Sequence, residues 1–289
     1  MNRTITSALL AITLTLGCGG VAVAQAPKPK PAQAKAVDPW DAIFAAEARK
    51  DYATEVRLLR PLVAKGDAQA QWWLGVMYDN GQGVAQDYKE AVRLYGLAAA
   101  QGYATAQSYL GVMYDNGQGV AQDYKEAARL YGLAAARGHA SAQTNLGVMY
   151  DKGRGVAQDY KEAVRLYGLA AAQGYATAQS YLGSMYSQGN GVIQDYKESV
   201  RLYKLSAAKG QDRSKNLLGF SYLFGEGAAQ DYVRAHMWFN LAASSLSGED
   251  QKKASTQRDN VAAKMTPAQI AEAQAMARKC QASNFKKCD

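Results

Sequence analysis

The sequence predicts an all-α solenoid of 36-residue helix-turn-helix repeats, and three observations carry that prediction. The pair Asp-Tyr recurs six times at a spacing of 36, from Asp51-Tyr52 through Asp87-Tyr88, Asp123-Tyr124, Asp159-Tyr160 and Asp195-Tyr196 to Asp231-Tyr232. Within each interval two segments place their apolar residues on one helical face. Between them lies a Gly-x-Gly turn such as Gly117-Gln118-Gly119. A unit this short cannot bury its own apolar face, so neighbours must stack, and the long surface of such a stack is a binding surface.

The chain opens with one charge, Arg3, an apolar run from Ile5 to Leu16 and the small residues Ala22-Val23-Ala24. This reads as a secretory signal peptide over residues 1–24 and predicts an exported protein, periplasmic first, with secretion as an alternative. Leu16-Gly17-Cys18 also resembles a lipoprotein box, so anchoring through a lipid on Cys18 is a second alternative. No later stretch reaches the roughly 20 apolar residues of a membrane helix, and no transmembrane helix is expected. Residues 25–37, nearly all Ala, Pro, Lys and Gln, read as a flexible tether.

Lys and Arg number 33 against 25 Asp and Glu, for a net charge of +8. The excess lies at the two ends of the mature chain rather than along the array. A nucleic-acid groove calls for a basic stripe with interleaved aromatics, so no nucleic-acid partner is expected.

Residues 38–66 keep the second-helix signature (Asp51, Tyr52, Val56, Leu58, Gly66) without the glycine turn, and read as a shortened N-terminal capping hairpin. Five repeats follow, at 67–102, 103–138, 139–174, 175–210 and 211–246. In the second, Ala106, Leu110, Gly111 and Tyr114 share one face of the first helix, and Ala127, Tyr131, Ala134 and Ala135 share one face of the second. Asp123 with Glu126 predicts a capping box at the start of the second helix, and Gly138 its end. Residues 247–289 read as C-terminal capping helices, the last introduced by Thr266-Pro267-Ala268-Gln269, three agreeing start signals. Cys280 and Cys288 predict a disulfide in an oxidising compartment, contributing about 2 to 3 kcal/mol as a local staple.

Leu74-Gly75, Tyr78, Gly81, Gly83-Val84, Asp87, Ala91, Tyr95, Ala98-Ala99 and Gly102 resemble the Sel1-like repeat family in register, and three close copies repeat the match. The fifth unit departs most, with Phe220-Ser221-Tyr222 and Gly225-Glu226-Gly227-Ala228. The resemblance implies a right-handed α/α superhelix related to tetratricopeptide arrays, in an exported bacterial member with an adaptor role. Some cysteine-rich relatives are connected with β-lactam binding or hydrolysis. These repeats contain no cysteine, so that activity is not carried over.

No catalytic constellation is visible and no cofactor is expected. The nineteen tyrosines read as core where they repeat, as do Tyr78, Tyr95 and their copies. The Asp79-Asn80-Gly81-Gln82-Gly83 turn lacks the acidic set of a calcium loop and reads as a helix C-cap. His139 stands where Tyr103 and Tyr175 stand in sister copies, a structural substitution. Variation between copies is the better clue, because core and turn positions must repeat while a binding face can differ. The slots of Ser108, Tyr109, Val112 and Asn116 form the first-helix face opposite the core. They should line the concave wall, with Trp72, Trp73, Val76, Tyr109, Val112, Asn116, Asn145, Tyr181, Leu217 and Phe220 as candidate ligand-binding residues. The predicted function is a non-catalytic exported scaffold or adaptor, monomeric, that holds a protein or peptide on this wall in envelope complex assembly or signalling. The alternative is a cell-wall-associated glycan-binding factor or hydrolase in contact with peptidoglycan, which a Glu or Asp clustered beneath Trp73 would favour.

Overall fold

The computed structural model describes residues 38–283 together with Phe285 and Cys288; the segments read as signal peptide (1–24, with Cys18) and tether (25–37) lie outside the described residues. Fourteen helices and no strand are found among them. Helices α1 (Pro39–Ala48) and α2 (Tyr52–Ala64) make the N-terminal hairpin. Five pairs follow: α3 (Ala68–Asn80) with α4 (Tyr88–Ala100), α5 (Ala104–Asn116) with α6 (Tyr124–Ala136), α7 (Ala140–Lys152) with α8 (Tyr160–Ala172), α9 (Ala176–Gln188) with α10 (Tyr196–Ala207), and α11 (Asp212–Phe224) with α12 (Tyr232–Ser245). Helices α13 (Gly248–Ala262) and α14 (Pro267–Ala282) close the stack against α12. Each helix packs on its partner and on the next pair, which is the all-α solenoid.

One contact repeats in every pair. The glycine of each Leu-Gly dipeptide lies under the aromatic ring of the second helix, and a methyl group at Gly111 would sit 2.8 Å from Tyr131 Cδ1. Gly75, Gly147 and Gly183 face Tyr95, Tyr167 and Tyr203 in the same way, and Gly219 faces Phe239. These rings are buried, so the two helices approach as closely as ring thickness allows.

The turns are equally regular. Gly117 caps α5 in the left-handed conformation at φ 69°, and Gly119, at φ 68°, lies against the Tyr88 carbonyl of the preceding repeat. In the five repeats the glutamine before the Asp-Tyr pair pins the turn, Gln122 Nε2 donating to the Asp115 carbonyl at 2.7 Å. Asp123 then accepts from the amides of Lys125 and Glu126 at the start of α6. The predicted reciprocal half of that box is not formed. Glu126 pairs with Arg129 instead, through contacts of 2.7 and 2.6 Å, because a guanidinium one turn on matches both carboxylate oxygens. At Thr266 the full box with Gln269 is present. Buried glutamines cross the junctions: Gln107 and Gln143 donate to the Ala99 and Ala135 carbonyls of the helix before, as second donors beside the Gly102 and Gly138 amides.

The outer faces of the second helices carry Leu97, Leu133, Leu169 and Leu205, each exposed by about 42–44 %. The fifth copy, Leu241, is only 1 % exposed, because the C-terminal helices cover it with Val261, Ala273 and Ala277. Cys280 and Cys288 are joined by a disulfide, Cα atoms 4.5 Å apart, which closes this cap.

Two alanine substitutions separate the roles of glycine within α5 and α6. Gly111→Ala must displace the Tyr131 ring and should cost about 1 to 3 kcal/mol. Gly132→Ala, where nothing lies within 4 Å, should instead gain up to about 1 kcal/mol of helix propensity. Thermal midpoints of the two variants moving the same way would refute the ring-contact explanation.

Candidate functional site

The predicted wall residues separate into three groups. Trp72, Trp73, Val76 and Tyr109 border one cavity of about 360 Å³, together with Glu47, Lys50 and Glu55 of the N-terminal hairpin. Asn145 and Tyr181 border a second depression of about 190 Å³ with Asp115 and Arg154. Tyr181 also borders a third, of about 360 Å³, with Asp151, Lys152 and Arg213. The first helices α3, α5, α7 and α9 thus contribute to hollows bordered by aromatic and charged side chains.

The rest fall elsewhere. Val112 packs into the core between the second and third repeats. Asn116 is exposed at the turn and donates to Gln118 Oε1 at 3.3 Å. Leu217 and Phe220 belong to the C-terminal core, with Phe220 edge-on to Phe239 at 5.0 Å. Phe220 meets a phenylalanine ring of its own unit, where the other units carry a tyrosine. Ser108, expected on the face opposite the core, is 3 % exposed, and Thr144 and Ser180 in the same slot are buried as well.

Trp72 is the exception in that slot, where sister copies carry Ser108, Thr144, Ser180 and Asn216. It stands edge-on to Trp73 and to Tyr109, at 5.8 Å in both cases. Trp73 in turn packs on Trp40 and Phe44 of α1. Tyr109 remains 37 % exposed and touches the Tyr95 ring at 5.4 Å. Further along, Tyr181 stacks on Tyr167 at 5.2 Å with the Arg213 guanidinium 4.9 Å above its ring.

The residue that sequence reasoning missed is Glu55. It is 1 % exposed, and Trp73 Nε1 donates to its Oε1 at 2.5 Å. Burial pushes the Glu55 carboxyl above its ordinary value, the Trp73 hydrogen bond offsets part of that, and Glu47 adds to the rise. A signal was present in the sequence: Glu55 occupies the slot of Ala91, Ala127, Ala163, Ser199 and Ala235, where an acid has no place in a repeating core. The histidines have structural partners or surroundings. His139 Nδ1 accepts from the Ala142 amide at 3.2 Å and caps α7, while burial lowers the pKa of His236. Among the described residues no cluster of three or more His, Cys, Asp or Glu is placed to hold a metal ion. No helix among them is long and apolar enough to cross a membrane.

This unit architecture, with its glycine turn and ring-on-glycine packing, defines a helical repeat protein whose class serves as scaffolds for protein interaction. The Sel1 repeat family matches at residues 68–103, 104–139, 140–175, 176–211 and 213–245, over half of the chain, and the chain belongs to that family. A solved Sel1 repeat protein from Oxalobacter formigenes is similar at a TM-score of 0.69 and 29 % identity, over 78 % of this chain and 97 % of that one. The protective antigen c5321 of uropathogenic Escherichia coli strains, which displays an SLR fold, is similar at a TM-score of 0.67 and 31 % identity, over 86 % of this chain and 58 % of that one. No curated protein matches the chain.

The Glu55 environment has a pH signature. Its carboxyl holds its proton to higher pH in the fold than in the unfolded chain, so ionisation above the ordinary value of 4.5 weakens the fold, increasingly until pH passes the native pKa. Glu55→Gln cannot ionise. Its melting temperature relative to wild type should therefore rise between about pH 4 and pH 7, by about 2 to 4 °C for each kcal/mol involved. A gap that stays constant with pH would show that Glu55 titrates normally.

Proposed function

We propose that the protein is a non-catalytic, exported scaffold that holds a segment of a protein partner on its first-helix face, the wall read from sequence as concave. The observation that carries the proposal is the set of hollows along the first helices. Their borders hold residues that differ from copy to copy, Trp73, Tyr109, Asn145 and Tyr181, while the packing around them repeats. An extended segment laid along such a wall meets a different pocket at each unit, which gives specificity without a single deep site. The signal sequence read at residues 1–24 supports a periplasmic location and a role in assembling or signalling through an envelope complex, with the chain acting as a monomer.

Glu55 beneath Trp73 favours a second reading, a glycan-binding factor of the cell wall, since a carboxylate beside an indole is a sugar-binding arrangement. That reading ranks second because Trp73 is packed on Trp40 and Phe44 and gives its N–H to Glu55, which leaves it less free to stack on a sugar ring.

Crosslinking pull-down from envelope extract tests the scaffold, using the mature chain beside a Trp73→Ala, Tyr109→Ala double variant whose helicity matches wild type by circular dichroism. A protein recovered by wild type and lost with the folded variant is the expected outcome. Equal recovery by both would remove the aromatic hollow from the binding surface.

A further inference from the structure

The junction between the N-terminal hairpin and the first repeat breaks the rules the other junctions keep. An alanine slot becomes Glu55 and a small-residue slot becomes Trp72, and both border the same cavity of about 360 Å³. Each leaves a buried polar atom without a partner, as Ser199, Ser180 and Asn216 do in the same slots elsewhere, but here the two are a carboxyl oxygen, Glu55 Oε2, an acceptor when ionised, and an indole donor, Trp72 Nε1. A buried polar group left unpaired costs about 1 to 3 kcal/mol, so two at one cavity require an explanation.

The charges around the cavity narrow the choice of guest. Glu47 and Glu55 both border it, and Glu47 acts on the Glu55 carboxyl as a like charge. Lys50 is the single base on the border, and it is exposed on a flexible stem. Two carboxylates to one ammonium leave an acidic excess beside the rings of Trp72, Trp73 and Tyr109. Ring faces attract cations, and a guanidinium can stack on an indole while it donates to a carboxylate.

We propose that this cavity receives a basic side chain, arginine in preference to lysine, of the protein segment held on the first-helix face, with Glu55 as its counter-ion. The proposal rests on the scaffold reading and names the chemistry of one of its pockets. Oε2 is shielded from solvent, so the carboxylate turns toward the guest as it binds. Trp72 Nε1 is equally shielded, so the indole must turn with the carboxylate before it can meet a backbone carbonyl of the same guest. A neutral sugar could then satisfy Trp72 through a hydroxyl, yet would bring no counter-charge for an ionised Glu55. Binding a cation favours the ionised Glu55, so affinity should rise with pH across its titration; the charged groups facing it are Glu47 and Lys50 from the hairpin.

The test is a tryptophan-fluorescence titration of the mature full chain with four probes: acetyl-Gly-Arg-Gly-amide, its lysine analogue, its citrulline analogue and chitotriose. Citrulline keeps the shape of arginine and removes the charge. Saturable binding of the arginine probe is expected, weaker by at least about tenfold for the citrulline probe and for the Glu55→Gln variant, which keeps an acceptor for Trp73. Equal affinity for arginine and citrulline, or undiminished arginine binding by a folded Glu55→Gln, overturns the proposal. Saturation by chitotriose without the arginine probe overturns it in favour of a glycan. Should Glu55→Gln fail to fold, the citrulline comparison decides alone. The titration uses no partner protein, so a negative result beside a successful pull-down removes the basic pocket and leaves the scaffold. A positive result beside a failed pull-down does the reverse.

Discussion

The ring laid on a glycine is the contact on which the rest of the array depends. With a hydrogen in place of a side chain at Gly75, Gly111, Gly147 and Gly183, the second-helix tyrosine rests almost on the first-helix backbone. That distance fixes how the two helices of a unit meet.

Because the central junctions repeat one solution, chemistry has little room there, and it collects where the repeat ends. At the N-terminal side an acid stands in an alanine slot and an indole in a serine slot. The C-terminal junction has a parallel departure. Lys215 takes the glutamine slot, is buried, and reaches Asp212 at 2.8 Å and Ser245 at 3.3 Å with the Phe285 ring 4.0 Å away. Lys215 has found its partners within the chain, which makes it part of the cap. Glu55 has satisfied only one oxygen.

Helices and turns were legible because their signals are local. Asp123, Gly117 and Thr266 act within a few residues of themselves, and the structure uses each as a cap or turn. What failed was anything that depends on a neighbour. The two-face reading of a first helix put Ser108 outside, although a stacked helix has contacts on three sides, two of them from adjacent units. Leu217 and Phe220 sit in slots that are wall elsewhere, yet here they join a core in which Phe220 meets the Phe239 ring, where the other units carry a tyrosine. Glu126 chose Arg129 over the backbone amide, a competition that sequence spacing alone does not resolve. Gln122, repeated in every turn of the array, has a role that is visible only once the Asp115 carbonyl is in place beside it.

Each turn glycine from Gly83 to Gly227 touches the backbone at the start of the previous unit's second helix, and it does so five times with the same chemistry. A junction that refers only to backbone does not know its position in the series. A whole unit can therefore be added or removed, and the new neighbours meet through a contact that already exists. The separation between the two specialised ends then changes in steps of one unit, and never by a fraction. Such a chain is a ruler with exchangeable divisions, whose lineage can retune the span between its ends without inventing a new surface.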